Sequence, residues 1–284
     1  MVLSPRLKAI AAMVEEGSRL ADIGTDHGYL PIWLLEEGRI PSAIAMDVRE
    51  GPLLRAKAHV TEHGLLDRVT VRLSDGFSAL SLGEADGAVI AGMGGPLTIR
   101  ILERGQKIAK SLRYLVLSPQ SEVPAVRHYL LEKGYVIFTE DMVLDEGKYY
   151  TVIKAVHEKR EDPCIREVPW SFVEESYGRH LLRSGKSVVR EFLLKEKNTK
   201  MAVKKTLLLA ETDRARIRLT QVEEELKLLD MAISLTETKK GLEKRSAESW
   251  EKDETKKEKV VFLTTADNRK RTANGCTKES VEGV

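Results

Sequence analysis

The residues best suited to chemistry sit in one short stretch, Leu20-Ala21-Asp22-Ile23-Gly24-Thr25-Asp26-His27-Gly28-Tyr29-Leu30-Pro31. An apolar run stops at a glycine and resumes from Ile32 to Leu35, the pattern of a buried strand turning into a helix. A glycine at such a turn lets the backbone approach a nucleotide-like ligand closely. The spacing is Asp22-x-Gly24-x-x-x-Gly28 rather than G-x-G-x-x-G, which disfavours an NAD-dependent oxidoreductase. Asp26, His27 and Tyr29 crowd the same turn, and a simple change of direction requires none of them. Three more segments carry compatible chemistry. Asp47 closes the run Ile44-Ala45-Met46, and an acid so placed accepts hydrogen bonds from both hydroxyls of a ribose. Asp75-Gly76-Phe77 offers a carboxylate for an adenine amino group and a ring to pack on it, and Ala91-Gly92-Met93-Gly94-Gly95 adds a glycine-rich lip. Each alone has an ordinary explanation as a strand end or a turn; four together at neighbouring strand ends select a ligand site.

The elements that position these groups follow from alternating apolar runs. Strands are expected at Arg19–Ile23, Ala43–Asp47, Val69–Leu73, Gly87–Ala91, Tyr114–Ser118, Tyr135–Asp141 and Tyr149–Ala155. Helical stretches at Pro31–Gly38, Gly51–His63 and Pro96–Lys110 fall among the first five, and Pro124–Lys133 adds one more. Strands alternating with helices give βαβ units and a mainly parallel sheet. The last two runs leave no room for a helix and are joined through Asp145-Glu146-Gly147, so they form an antiparallel edge hairpin. Five parallel strands followed by such a hairpin resemble the architecture of class I methyltransferases, so the expected fold class is α/β: a Rossmann-like domain of that kind over 1–157, with a C-terminal α-helical, coiled-coil-like domain. Residues 158–185, with Pro163, Pro169, Gly178 and Gly185, read as a linker. From Lys186 to Lys240 there is neither Gly nor Pro, and Leu219, Val222, Leu226, Leu229 and Ile233 follow the spacing of a coiled-coil seam. A helical hairpin over 186–241, turning between 197 and 212, is the economical reading. Residues 242–284, rich in Lys, Glu, Ser and Thr, are expected to be largely disordered apart from the apolar Val260-Val261-Phe262-Leu263.

With 284 residues, a net charge of +2 and two cysteines far apart in sequence, the chain has no disulfide framework or zinc spacing and fits a reducing cytosol. Neither a secretory leader nor a membrane-spanning run is read from it. Cys164 and Cys276 fall in the linker and tail, which argues against covalent pyrimidine methylation. The reading is a cytoplasmic monomer without metal or membrane association.

At this point the motifs become specific. The stretch Ala21–Pro31 with Ala91-Gly92-Met93-Gly94-Gly95, Glu50-Gly51-Pro52-Leu53, Ala56-Lys57, Asp75-Gly76, Leu3–Leu7, Tyr177-Gly178…Leu181 and Phe192-Leu193…Lys195-Glu196-Lys197 resembles the bacterial tRNA (adenine-22-N1)-methyltransferase family. The resemblance covers residues 1–240. It implies methyl transfer from S-adenosylmethionine to N1 of adenine in the D-region of tRNA. Position by position, it implies cofactor contacts at Asp22, Gly24, Thr25, Asp26, Asp47, Asp75, Gly76, Ala91, Gly92 and Met93. One departure stands out: where the family often carries a Gln-Pro-Asn-like triplet, this chain has Ser118-Pro119-Gln120.

Adenine N1 holds an in-plane lone pair and needs no deprotonation before attack, so the useful protein group is one that stabilises growing positive charge. Asp26 is the candidate for that role, and His27 and Tyr29 for holding or stacking the base. The Asn/Asp-Pro-Pro-Tyr/Phe motif of exocyclic-amine methylation is absent, as ring-nitrogen chemistry allows. Between Lys186 and Thr220 ten basic residues face four acidic ones, which suits phosphate contact; Lys197, Lys200, Lys204, Lys205, Arg214 and Arg218 are the candidate RNA ligands, with Arg6 on the first helix. Competing readings are a methyltransferase of the same fold acting on a small molecule or protein, and a degenerate RNA-binding module. The intact acids at 22, 26, 47 and 75 argue against the second.

Overall fold

The computed structural model describes residues 1–157, 169–210 and 212–237. The tail 242–284 with its apolar Val260–Leu263 run, the first part of the linker, and both cysteines lie outside the described residues. Residues Met1–Thr236 make one compact unit; a second, Glu237–Val284, is described only at Glu237.

Seven strands, β1 (Leu20–Ile23), β2 (Ala43–Asp47), β3 (Val69–Leu73), β4 (Gly87–Ala91), β5 (Tyr114–Ser118), β6 (Tyr135–Asp145) and β7 (Lys148–His157), form one sheet among the described residues, in the order β3-β2-β1-β4-β5-β7-β6. The first five run parallel, while β7 is antiparallel to both β5 and β6. The edge hairpin is longer than the sequence predicts. Asp145 pairs directly with Lys148 across a two-residue turn, Glu146-Gly147, in which both residues have positive φ (47° and 77°). That conformation matches the strand twist and lets the ladder run to its end.

The parallel strands alternate between two apolar layers. Ala21, Ile23, Ile90, Leu115 and Leu117 face a layer with α4 (Gly95–Arg104), α5 (Gln106–Ala109) and α6 (Val123–Glu132). Leu20, Val89 and Val116 face the other, with α1 (Pro5–Met13), α2 (Tyr29–Glu36) and α3 (Glu50–Glu62). Residues such as Ile10, Leu20, Ile32 and Ile90 are wholly buried. Each such side chain contributes about 1.5–3 kcal/mol through the area removed from water. The predicted single helix over 96–110 is broken at Gly105, where a Cβ would run into the Phe77 ring.

The composition of 158–185 predicts a linker, but residues 169–185 fold. Ser171 caps α7 (Phe172–Tyr177) through a capping box with Glu174, and α8 (Arg179–Leu182) follows directly. Beneath them the buried Arg127 donates Nε to Glu140 Oε1 at 2.6 Å and Nη1 to the carbonyls of Ser176 (2.9 Å) and Glu175 (3.2 Å). Gly178, at φ 89°, passes over this pair; a Cβ there would sit 2.6 Å from Glu140 Oε2. The glycine that reads as a flexible joint is therefore required by close packing.

α9 (Ser187–Leu208) and α10 (213–237) lie antiparallel as a helical hairpin, with Lys197 paired to Asp230 and Lys204 to Glu223. Val189, Leu193, Leu229, Ala232 and Ile233 at its root pack with Met142 of β6 and Leu181 and Leu182 of α8. Toward the tip, Met201, Leu208 and Leu209 are exposed.

Removing one partner of a buried ion pair leaves an uncompensated charge, so Glu140→Ala should destabilise the protein by about 3–5 kcal/mol in urea unfolding. A loss below about 1 kcal/mol would show that α7 and α8 do not depend on the pair.

Candidate active site

The carboxyl ends of β1, β2 and β4 open into a cleft of about 870 Å³. Its position follows from the strand order, because ligand crevices form where successive crossovers leave a parallel sheet in opposite directions. The walls bring together Asp22 of β1 with Gly24, Thr25, Asp26 and Tyr29 beyond it, Asp47 at the end of β2 with Val48, and Ala91 at the end of β4 with Gly92 and Met93.

At the first turn the amides of Gly24 and Thr25 donate to the Met46 carbonyl at 2.7 and 2.8 Å, tying β1 to β2. Gly24 has φ 77°, and a Cβ on it would run into the Met93 side chain, so the two glycine-bearing loops close on each other. Thr25 Oγ1 is buried with no partner of hydrogen-bonding geometry among the described residues. It still lies near enough to Asp22 to favour that carboxylate's charged form. Burial dominates, however, and pushes the Asp22 carboxyl up to about 6, with Thr25 opposing and the Asp47 charge adding to the rise. Asp47 is also buried, and its Oδ1 accepts from the Arg49 amide at 2.8 Å.

The predicted residues divide. Asp75 lies outside the main cleft, in an adjoining recess of about 350 Å³, where its Oδ2 accepts from Arg104 at 3.0 Å. Val48 and Leu97 line both spaces and present exposed apolar surface between them. Gly76 lines neither; at φ 61° it packs against Ile101. Asp26 stands at the rim, 76% exposed, 3.7 Å from Arg55 and 3.4 Å from His27 Nε2. Tyr29 is partly exposed into the cleft, whereas His27 does not line it. The His27 ring instead stacks with Tyr29 (5.1 Å between centroids) and with His59 (5.3 Å). His59 Nδ1 donates to the His27 carbonyl at 2.9 Å, which identifies that nitrogen as the protonated one, since a carbonyl only accepts. His27 has φ 60°, a conformation that disfavours a side-chain-bearing residue and that the His59 contact holds in place.

Sequence reasoning missed His59, Val48, Leu97, Asp145 and Tyr150. No local motif marks them: His59 projects from α3, and Asp145 and Tyr150 come from the hairpin more than a hundred residues beyond the first turn. Arg6 of α1 lines the cleft beside them, with its guanidinium 4.8 Å from the Tyr150 ring centroid. Burial draws the Arg6 pKa down, against the opposing influence of Tyr150 and Asp145.

The hairpin cations are mostly engaged. Lys197 pairs with Asp230, Lys200 with Glu225, Lys204 with Glu223, and Arg218 with Glu225. Over the whole hairpin, 186–237, eleven basic residues face nine acidic ones, so folding brings acids from α10 onto the basic stretch of α9. Lys205 and Arg214 carry no ion pair among the described residues. No helix among the described residues is long and apolar enough to cross a membrane, and none of their His, Cys, Asp and Glu side chains cluster in threes that could hold a metal.

A doubly wound sheet with an antiparallel edge hairpin and a glycine-lined cleft at its switch point defines a methyltransferase domain, and residues 3–153 match the family model of that description. The chain belongs to the tRNA (adenine(22)-N(1))-methyltransferase family: it is 34% identical to the Bacillus subtilis enzyme of that name over 196 residues, 69% of this chain and 76% of the relative. Among solved structures, the Bacillus subtilis M1A22 tRNA methyltransferase TrmK superposes with a TM-score of 0.72 at 30% identity, covering 82% of this chain and 99% of that one. The Streptococcus pneumoniae protein Sp1610 in complex with S-adenosyl-L-methionine gives 0.72 at 29% identity, covering 82% and 100%.

The raised Asp22 pKa has a measurable consequence. A carboxyl that binds its proton more tightly folded than unfolded makes the protein less stable as pH rises from its unfolded value near 4 to its folded value of about 6. Asp22→Asn should therefore gain stability relative to the parent across that window, by roughly 3 kcal/mol in all. Urea unfolding at both ends of the window checks this; a pH-independent difference would place the Asp22 pKa at its ordinary value.

Proposed function

We propose that this protein is a cytoplasmic, monomeric enzyme that methylates N1 of adenine 22 in the D-region of tRNA, with S-adenosylmethionine as donor. The observation that carries this reading is the cleft itself, with its buried acids at the ends of β1 and β2 and its two glycine-bearing lips, in a chain of this family. The residues present suit that donor. The buried, unpartnered Thr25 hydroxyl and the Asp22 carboxylate offer polar partners for the amino-acid portion, and a cation bound there would draw the Asp22 pKa back down. The second carboxylate oxygen of Asp47 suits the ribose hydroxyls. Val48 and Leu97 supply apolar surface for the adenine ring, with Asp75 at the recess beyond them. Gly24 and Gly92 let the Met93 and Arg6 side chains come close to the two lips of the cleft.

S-adenosylmethionine supplies an electrophilic methyl group on a sulfonium. The protein has then to present N1 in line with it and to exclude water, and alignment of this kind contributes a large share of such accelerations. No base is needed, because N1 attacks with its lone pair and the product leaves the site as a cation. Asp26 at the rim is suited to stabilising that cation once the bound RNA shields it from solvent and from Arg55. Tyr29 offers a ring for stacking, and the target base, whose N1 lies on its pairing edge, must enter unpaired or flipped. His27 acts behind Tyr29, as part of the ring cluster that holds the turn.

Labelled S-adenosylmethionine and unmodified tRNA should yield label in 1-methyladenosine after digestion to nucleosides; label confined to protein or small molecules would overturn the reading. Asp47→Ala should weaken cofactor binding by about ten- to hundredfold in calorimetry, the loss of charge-assisted hydrogen bonds. Asp26→Ala should instead lower kcat with cofactor affinity retained, and an unchanged kcat would remove Asp26 from the chemistry.

Of the candidate RNA ligands on the hairpin, Lys205 and Arg214 carry no ion pair among the described residues and are the most available to phosphates. Charge reversal of Lys205 and Arg214 together should raise KM for tRNA several-fold and reduce the salt dependence by about two phosphate contacts, with kcat unchanged. An identical salt slope would leave the hairpin a structural element.

A further inference from the structure

The cleft extends past the part that suits the donor. Its far end, over the ends of β4 and β5 and against the edge hairpin, is lined by Arg6, Gln120, Asp145, Glu146 and Tyr150. The strand order puts this end on the side of β4 away from Asp47, and so away from the ribose contact proposed above. Gln120 occupies the lip. Its backbone amide donates to the Met93 carbonyl at 2.8 Å, fixing the residue against the Gly92-Met93 loop. Its side chain is exposed, lines the cleft and makes no hydrogen bond among the described residues. Arg6 lies at the same lip: a Cβ on Gly92 would be 3.2 Å from its guanidinium, and its Nε is buried without a partner. An unengaged carboxamide beside an underused planar cation is a fitting reception for a nucleotide.

We propose that Gln120 is the residue that reads the target base as adenine, its carboxamide oxygen accepting from N6–H and its NH2 donating to N7. This rests on the function proposed above. N1 must keep its lone pair free, so recognition cannot use a hydrogen bond to N1. The adjacent N6 amine and N7 present one donor and one acceptor on a single edge, and a carboxamide presents the complementary pair in one plane. Guanine offers two acceptors on that edge and a proton on N1, so it loses one contact and the nucleophile together. Both polar positions of the resembled family's triplet differ in this chain, at Ser118 and Gln120, and the second keeps an amide on a longer arm.

The test uses full-length enzyme and two tRNAs, one with adenosine at position 22 and one with 7-deazaadenosine, which retains N1 and N6 but lacks the N7 acceptor. The parent enzyme should lose about ten- to hundredfold in kcat/KM on the deaza tRNA. Gln120→Ala should lose a comparable factor on the adenosine tRNA and then treat both tRNAs alike. Gln120→Glu, which accepts but cannot donate to N7, should not recover the loss. Cofactor affinity of Gln120→Ala should stay within about twofold of the parent, as the side chain lies beyond the donor's end of the cleft. Discrimination against the deaza tRNA that persists in Gln120→Ala, or an unchanged kcat/KM in that variant, overturns the assignment while leaving the methylation reading intact. Failure of the parent enzyme to form 1-methyladenosine on the ordinary tRNA overturns both.

Discussion

β1 and β4 are neighbours in the sheet, and the chain leaves these two strands for opposite faces: α2, after β1, packs on the layer with Leu20 and Val89, and α4, after β4, on the layer with Ile23 and Ile90. Two helices diverging from neighbouring strand ends leave a crevice that neither covers, and Asp22, Thr25, Asp26, Tyr29, Asp47 and Gln120 all line it. The constraint acts in both directions. A crevice at the switch point exposes backbone and desolvates whatever side chain sits at its floor, which is why Asp22, on the interior strand β1, is buried and holds its proton up to about pH 6. The two apolar layers that make the sheet stable also make its functional edge electrostatically unusual.

The strain in the first turn belongs to the same geometry. To bring Asp26 and Tyr29 to the cleft, the backbone passes through left-handed conformations at Gly24, His27 and Gly28 in succession. The glycines adopt them freely, but His27 requires outside support, and the His59 hydrogen bond and the three-ring cluster provide it from α3. A residue with no sequence proximity to the turn thereby sets the orientation of the residues nearest the reaction.

What the sequence made legible was the local part of this arrangement. The five parallel strands were readable because buried strands are short apolar runs bounded by turn residues, and Asp22, Asp47 and Met93 were readable because they end or follow such runs. The position of Asp75 beyond Val48 depends on how α4 packs, and the removal of His27 from the cleft depends on α3; neither is written near those residues. The segment 169–185 failed as a linker for a related reason. Glycine and proline mark flexibility and tight packing with the same letters, and only the buried Arg127–Glu140 pair beneath Gly178 distinguishes the two.

The hairpin carries this lesson into function. A local excess of lysine and arginine over 186–220 suggests a phosphate-binding face, but antiparallel pairing sets Glu223, Glu225 and Asp230 against Lys204, Lys200 and Lys197. Exposed pairs of this kind are individually weak, so they guide how the helices align more than they stabilise them. They also lower the field that a polyanion meets on approach. An enzyme that must select one adenine among many gains from that restraint, because strong sequence-independent attraction would hold every tRNA surface equally. Selectivity then falls to the cleft, where an in-plane lone pair needs no base and the groups surrounding it are free to recognise the ring that carries it.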